Sequence, residues 1–236
     1  MPNASTRLST KDRIFVTAER LFAEKGLDGT STRDITEAAG VNIAAVNYHF
    51  GSKEGLIAAM FYRYLTPINH ARLAMLDDAE VSAGNRAPSL ETVLEAFIRP
   101  VVIQATDSFM RLMGRCLSEP PAYSEKYIYP LFEEIIERFN AAVARALPDL
   151  SHEEIFMRVA FVAGTLHYAL HMWSRPDCKP FDRLKRLEPG ELIRELIAFG
   201  AGGLRSRVED QDRGRLPDDE HALRLRPDSS NLRVGQ

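Results

Sequence analysis

The chain has 236 residues, 45% of them hydrophobic, and a formal net charge of −3. That is enough apolar material for a sizeable core, and it excludes a globally basic nucleic-acid binder, so any contact with DNA must be local. Two cysteines, Cys116 and Cys178, make no disulfide framework, the start "MPNASTRLSTKDRI" lacks the apolar run of a signal peptide, and no stretch approaches the ~18 apolar residues of a membrane helix. The expectation is a soluble, cytoplasmic protein with no membrane association.

Residues 1–10 are expected to be disordered. From Thr10, Ile14, Ala18, Leu21 and Phe22 recur at the spacing of one helical face, and Gly26 is a stop signal. In "GTSTRDITEAAG", Ser31 or Thr32 suits an N-cap and Asp34 suits the positive end of a helix. Ile35, Ala38 and Ala39 line its inner face, and Gly40 ends it. Asn42 suits the cap of a short helix from Ile43 to Phe50. Ser52 suits the cap of a longer one through Leu56, Ile57, Met60, Phe61 and Tyr64, which Pro67 should kink or interrupt.

"LDDAEVSAGNRAPS", Leu76 to Ser89, is polar with Pro and Gly and reads as a loop. Helices follow over Leu90 to about Thr106, Asp107 to about Leu117, Ser124 to Ala146, Ser151 to Trp173 and Glu191 to about Arg205. Pro100 and Pro130 should make irregularities. The tail from Glu209 is charged and reads as disordered. No window alternates with period two, so no strand is predicted.

The fold class is therefore all-α. An N-terminal three-helix helix-turn-helix domain (11–57) is joined by a long helix to a C-terminal helical ligand-binding and dimerisation domain (58–208), with a disordered tail over 209–236.

Two short helices joined by a tight turn make a helix-turn-helix, whose second helix enters the DNA major groove. Val46 and Phe50 would pack on Ile35, Ala39 and Leu21, because a helix this short is not stable alone. The other face then presents Asn42, Ala44, Ala45, Asn47, Tyr48 and His49. Asn pairs bidentately with an adenine edge, and Ala meets a thymine methyl. Tyr, His and Lys are common phosphate contacts, and the helix N-termini near Thr32 and Ser52 attract phosphates as well. Patterning alone is equally compatible with ordinary polar surface or half-buried core residues at Asn47, Tyr48 and His49.

The run "AERLFAEKGLDGTSTRDITEAAGVNIAAVNYHFGSKEGLI", within Lys11 to Met60, resembles the DNA-binding domain of the tetracycline-repressor (TetR) family. Tyr48-His49-Phe50 followed by Lys53 is its most specific part. The resemblance implies phosphate contacts from Thr32, Tyr48, His49 and Lys53, and groove-facing roles for Arg33, Ala44, Ala45 and Asn47. Gly55 stands where many relatives carry Glu, which forgoes a capping box. "SFMRLMGR" (Ser108 to Arg115) and "FMRVAFVAG" (Phe156 to Gly164) resemble the fatty-acid-responsive repressors of this family, over roughly Leu90 to Trp173.

The segment Ile155 to Trp173 is apolar nearly all the way round and is expected to be buried on every side, against its own bundle and a second subunit. Relatives dimerise through their last two long helices, which implies a homodimer reading a palindromic double-stranded operator. The Phe and Met surplus and the resemblance together point to a small apolar effector, a fatty acid or acyl-coenzyme A. Its pocket would be lined by Phe109, Met113, Phe132, Phe161 and Leu166, with Arg111 and His167 as candidates for its anionic head. His167 and His171 have a metal-ligand spacing but no accompanying carboxylate, so histidines satisfied in a pocket or interface are expected rather than a metal site. Cys116 reads as a small buried apolar residue. No cofactor and no enzymatic activity are expected; the competing class is an α-helical enzyme using His167 and His171 with an accessory DNA-binding module.

Overall fold

The computed structural model describes residues 8–116, 121–173, 179 and 182–207. The termini expected to be disordered fall largely outside that range, over 1–7 and 208–236, and the Cys116 side chain is likewise outside it. Among the described residues all regular structure is helical. The helices are α1 (Thr10–Lys25), α2 (Thr32–Ala39), α3 (Ile43–Phe50), α4 (Lys53–Ala83), α5 (Leu90–Gln104), α6 (Asp107–Cys116) and α7 (Pro121–Tyr127). A 3₁₀ turn (Tyr129–Leu131) leads to α8 (Glu133–Ala146), α9 (His152–Trp173), α10 (Asp182–Lys185) and α11 (Pro189–Arg205). These elements form one unit up to Leu204; of the chain beyond it only 205–207 are described.

The first three helices close on a core of Ile14, Phe22, Ile35 and Val46, all fully buried, against Leu56 and Phe61 of α4. Each start is capped as the residue types require. Ser9 accepts from the Asp12 N–H at 3.1 Å, Ser31 forms a reciprocal capping box with Asp34, and Asn42 Oδ1 accepts from the Ala44 N–H at 2.9 Å. Gly40 ends α2 in the left-handed region (φ 63°). The Arg13 guanidinium donates to the carbonyls of Ala39 and Gly40, which puts a cation on the negative end of α2.

Sequence and structure part company at four places. α4 continues to Ala83 through much of the stretch read as a loop, and only 84–89 are irregular. "LDDAEVSA" contains no breaker until Gly84, Leu76 is fully buried and Ala79 nearly so, and Arg138 of α8 pairs with Asp77 at 2.5 Å and Glu80 at 3.1 Å. α4 also runs as one helix through the exposed Pro67, which does not interrupt it. The segment read as one helix from Ser124 is divided: α7 ends at Tyr127, and Pro130 sits in the first turn of the 3₁₀ element before α8 starts at Glu133. Finally, α9 is not covered on every side. Ile155, Val162, Leu166 and Leu170 are buried, whereas Phe156, Phe161 and Tyr168 are 58%, 63% and 55% exposed.

α4 is the spine of the fold, packed along α5 and touched by α1, α3 and α8. Within it Arg72 is buried; its Nε donates to the Phe97 carbonyl at 2.8 Å and its Nη1 to Asn69 Oδ1 at 3.1 Å. Pro100 has no N–H for the Ala96 carbonyl, so the α5 ladder is one donor short beside Phe97. The guanidinium also lies 4.3 Å from the Phe97 ring centroid, and burial lowers its pKa to about 10, which leaves it charged at neutral pH.

Candidate nucleic-acid interface and effector residues

The side chains singled out for DNA contact fall on or beside α3, where the structure leaves them open. Asn42, Ala44 and Asn47 are exposed and Tyr48 is 86% exposed, while Ala45 and His49 are half-buried. A tyrosine that open buries almost nothing and is available to an incoming group. His49 packs edge-on against Tyr48, ring centroids 5.0 Å apart, and so restrains it. Val46, on the opposite side of α3, is fully buried. Asn42 is partly committed already, since its Oδ1 caps α3, which leaves its amide N–H groups for a partner.

Thr32 and Lys53 are half-buried at the first residues of α2 and α4. Both N-termini carry an acid of their own. Asp34 is held below its usual pKa by hydrogen bonds from the Ser31 hydroxyl and N–H, and Glu54 is lowered by its own N–H and then by the Ser52 hydroxyl. A phosphate approaching either end therefore meets the helix dipole and a competing carboxylate together. Arg33 is paired with Glu37 at 2.9 Å, but both side chains are well exposed, so the pair is readily exchanged for a stronger acceptor.

The missing glutamate at Gly55 has a local reason. Ser52 Oγ still accepts from the Gly55 N–H at 3.1 Å, and a Cβ placed on Gly55 would stand 2.0 Å from the Phe50 carbonyl oxygen. Glycine lets the end of α3 lie against the first turn of α4.

The seven residues predicted to line an effector pocket do not share one environment. Phe109 and Leu166 are buried in the core; Met113, Phe132 and His167 are half-buried; Arg111 and Phe161 are exposed. Among the described residues Arg111 reaches the Ser108 hydroxyl of its own helix, at 3.4 Å. His167 and His171 stack with ring centroids 6.4 Å apart, and burial followed by the charge of His171 lowers the His167 pKa. Among the described residues no group of three or more His, Cys, Asp and Glu side chains could hold a metal ion. A Cβ on Gly114 would lie 2.7 Å from His171 Nδ1, so α6 meets α9 closely at this pair.

What the motif reading missed is how the two halves are joined. Tyr64 of α4 donates to the buried Glu19 of α1 at 2.5 Å and stacks on Phe109 of α6 at 5.0 Å; Tyr123 of α7 donates to Asp28 in the loop between α1 and α2. No short motif contains these pairs, whose members lie 45 or more residues apart.

Two family models match the chain: "Bacterial regulatory proteins, tetR family" over residues 14–60, and "Tetracyclin repressor-like, C-terminal domain" over 95–203. The biofilm operon icaADBC negative transcriptional regulator IcaR of Staphylococcus aureus (strain Newman) is 44% identical over 135 residues, 57% of this chain and 68% of the relative. The chain belongs to the TetR family of bacterial transcriptional regulators. YttP of Bacillus subtilis (strain 168), a probable HTH-type transcriptional regulator, is 47% identical over 51 residues, so this chain spans only a quarter (25%) of that relative. The fatty acid degradation regulator FadR of Bacillus halodurans superposes over 86% of this chain and 100% of its own, with a TM-score of 0.63 and 16% identity, a likeness of fold.

Proposed function

We propose that the chain is a ligand-responsive repressor that binds a palindromic operator as a homodimer and is released by a small apolar effector of the fatty-acid or acyl-coenzyme A class. In this reading residues 11–57 are the DNA-binding domain, 58–208 the effector-binding and dimerisation domain, and the protein works in the cytoplasm. The observation that carries it is the open face of α3, which holds Asn47 and Tyr48 out to solvent while Val46 anchors the helix in the core. The negative regulator IcaR supports the sign of regulation.

Dimerisation is supported by the outer face of α9 and α11. Phe156, Phe161, Tyr168 and Phe199 are exposed there, and among the described residues a Cβ on Gly164 or Gly202 would touch nothing within 4 Å. A second copy covering this face would align two α3 helices for two operator half-sites. α9 has the length and hydropathy of a membrane-crossing helix, but one side of it is packed in the core and Arg158 is buried in it, donating to the Leu204 carbonyl at 2.7 Å. The test is fluorescence anisotropy with the DNA upstream of the gene against random duplex of equal length. Preference for the upstream duplex, lost on adding an effector, is expected; equal affinity for both would overturn the reading.

A further inference from the structure

A cleft of about 670 Å³ opens between α1, α4 and the turn from α7 into the 3₁₀ element. Its walls come from both halves of the molecule. α1 supplies Lys11 and Phe15 from the DNA-facing half, α4 supplies Arg63, and the effector half supplies Lys126 and Tyr127. From these contacts we infer that the cleft is a binding site for small amphipathic organic anions, molecules with one carboxylate head and a flat apolar body. The inference rests on the repressor reading only for its consequence at the operator.

Charge selects the head. Three cations, Lys11, Arg63 and Lys126, face this space with one carboxylate, Asp12. Asp12 already accepts the Ser9 hydroxyl at 2.6 Å, and among the described residues none of the three cations has a carboxylate within 4 Å. Lys126 is within electrostatic reach of Glu54 without forming a pair with it. In a chain of net charge −3, so concentrated a positive field attracts anions locally.

Rings select the body. The Arg63 guanidinium carbon lies 4.4 Å from the Phe15 centroid, and the Lys126 amine 5.1 Å from that of Tyr127. Each of these two cations is held near an aromatic face, which restrains where its N–H groups point. The volume falls in the range of small-molecule sites, where a mostly apolar wall with a few aimed polar groups is the usual arrangement. A guanidinium offers a carboxylate two parallel hydrogen bonds, which a neutral amide does not accept.

A molecule held here would touch α1 and α7 at once, and α7 is the helix whose Tyr123 donates to Asp28 in the other half. Its binding energy would differ between arrangements of the halves, which is the condition for coupling to DNA.

The experiment is isothermal titration calorimetry of the full chain with 2-naphthylacetate and with its neutral amide, in the absence of DNA. The acid should bind at least tenfold more tightly than the amide. Arg63→Glu and Lys126→Glu should each weaken the acid at least tenfold and leave the amide unchanged, while Arg86→Glu, outside the cleft, changes neither. Lys126 is exposed, so its variant keeps the test valid if loss of the Arg63–Phe15 contact disturbs folding, as read by circular dichroism. Equal affinities for acid and amide, no binding, or indifference to both charge reversals would overturn the site. So would charge reversals that weaken duplex binding while naphthylacetate never binds, since the cations would then serve DNA. Operator affinity with saturating naphthylacetate reads the coupling separately, with a change of fivefold or more expected. If the upstream duplex is not preferred at all, the repressor reading fails while the calorimetry still stands or falls on its own.

Discussion

Asn47 and Tyr48 are neighbours on α3, and the proposed reading gives them different tasks. Each phosphate contact neutralised releases counterions, so removing one lowers the magnitude of the log–log salt slope by about 0.9. Tyr48→Phe and Lys53→Ala should both weaken specific and random duplex alike in anisotropy titrations across salt, with that slope change in Lys53→Ala alone, because the tyrosine hydroxyl carries no charge. Asn47→Ala should instead cost roughly 1–3 kcal/mol at particular base pairs and relax the sequence preference there, without the slope change. An unchanged preferred sequence in a selection from random duplexes would remove Asn47 from the groove. Tyr64 supplies a second residue-level expectation. Burial, then the hydrogen bond to Glu19, raises its pKa. A raised value means that the phenol's contribution is complete below the unfolded-state pKa of about 10 and is lost as pH rises above it. Urea denaturation followed from neutral pH to pH 11 should show a loss of stability at the alkaline end that is smaller in Tyr64→Phe. Equal losses in both proteins would mean that other groups control the alkaline limb.

At the scale of elements, the short helices were legible because local rules specify them. Serine and asparagine caps, Gly26 and Gly40 as stops, and apolar spacing place α1 to α3 within a residue or two of their positions. The end of α4 was not, because polarity was mistaken for a loop. Asp77 and Glu80 face Arg138 and Arg145 across a contact that lies about sixty residues away in sequence. Phe161 shows the same limit from the other side. A phenylalanine in an apolar run fits a pocket, a core or an interface equally, and only the fold places this one on the outer face of α9. That face yields a clean prediction. Because a Cβ at Gly164 would meet nothing within 4 Å, Gly164→Glu should leave the single subunit intact, while in a dimer it would bury an unpaired carboxylate. Sedimentation should give a dimer for the natural chain and monomer for the variant, with helix content unchanged. A variant that stays dimeric would put the interface elsewhere.

Across the whole molecule, the question is how an event in the body reaches α3. In the proposed reading the route is α4, which carries Tyr64 against both Glu19 of α1 and Phe109 of α6. An apolar effector entering between the body helices would have to displace packed groups such as Phe109 and Leu166, and that displacement is what would move α6 against Tyr64. Each methylene buried contributes about 0.8 kcal/mol, so a long acyl chain gains affinity with few polar contacts. A coupling of typically 1–3 kcal/mol would weaken operator binding by ~5–150-fold. Fatty acids and acyl-coenzyme A thioesters of increasing length, titrated into the protein–operator complex, should release DNA more strongly with each added pair of methylenes until the space is full, and then plateau. Tyr64→Phe should keep the binding of the acyl chain and reduce the ratio of operator affinities without and with it, because the hydrogen bond that ties α4 to α1 is gone. A release that is indifferent to chain length, alongside strong release by a sugar, would exclude the acyl class and leave the repressor reading in place. An undiminished ratio in Tyr64→Phe would route the coupling through another contact, with Tyr123–Asp28 the next to test.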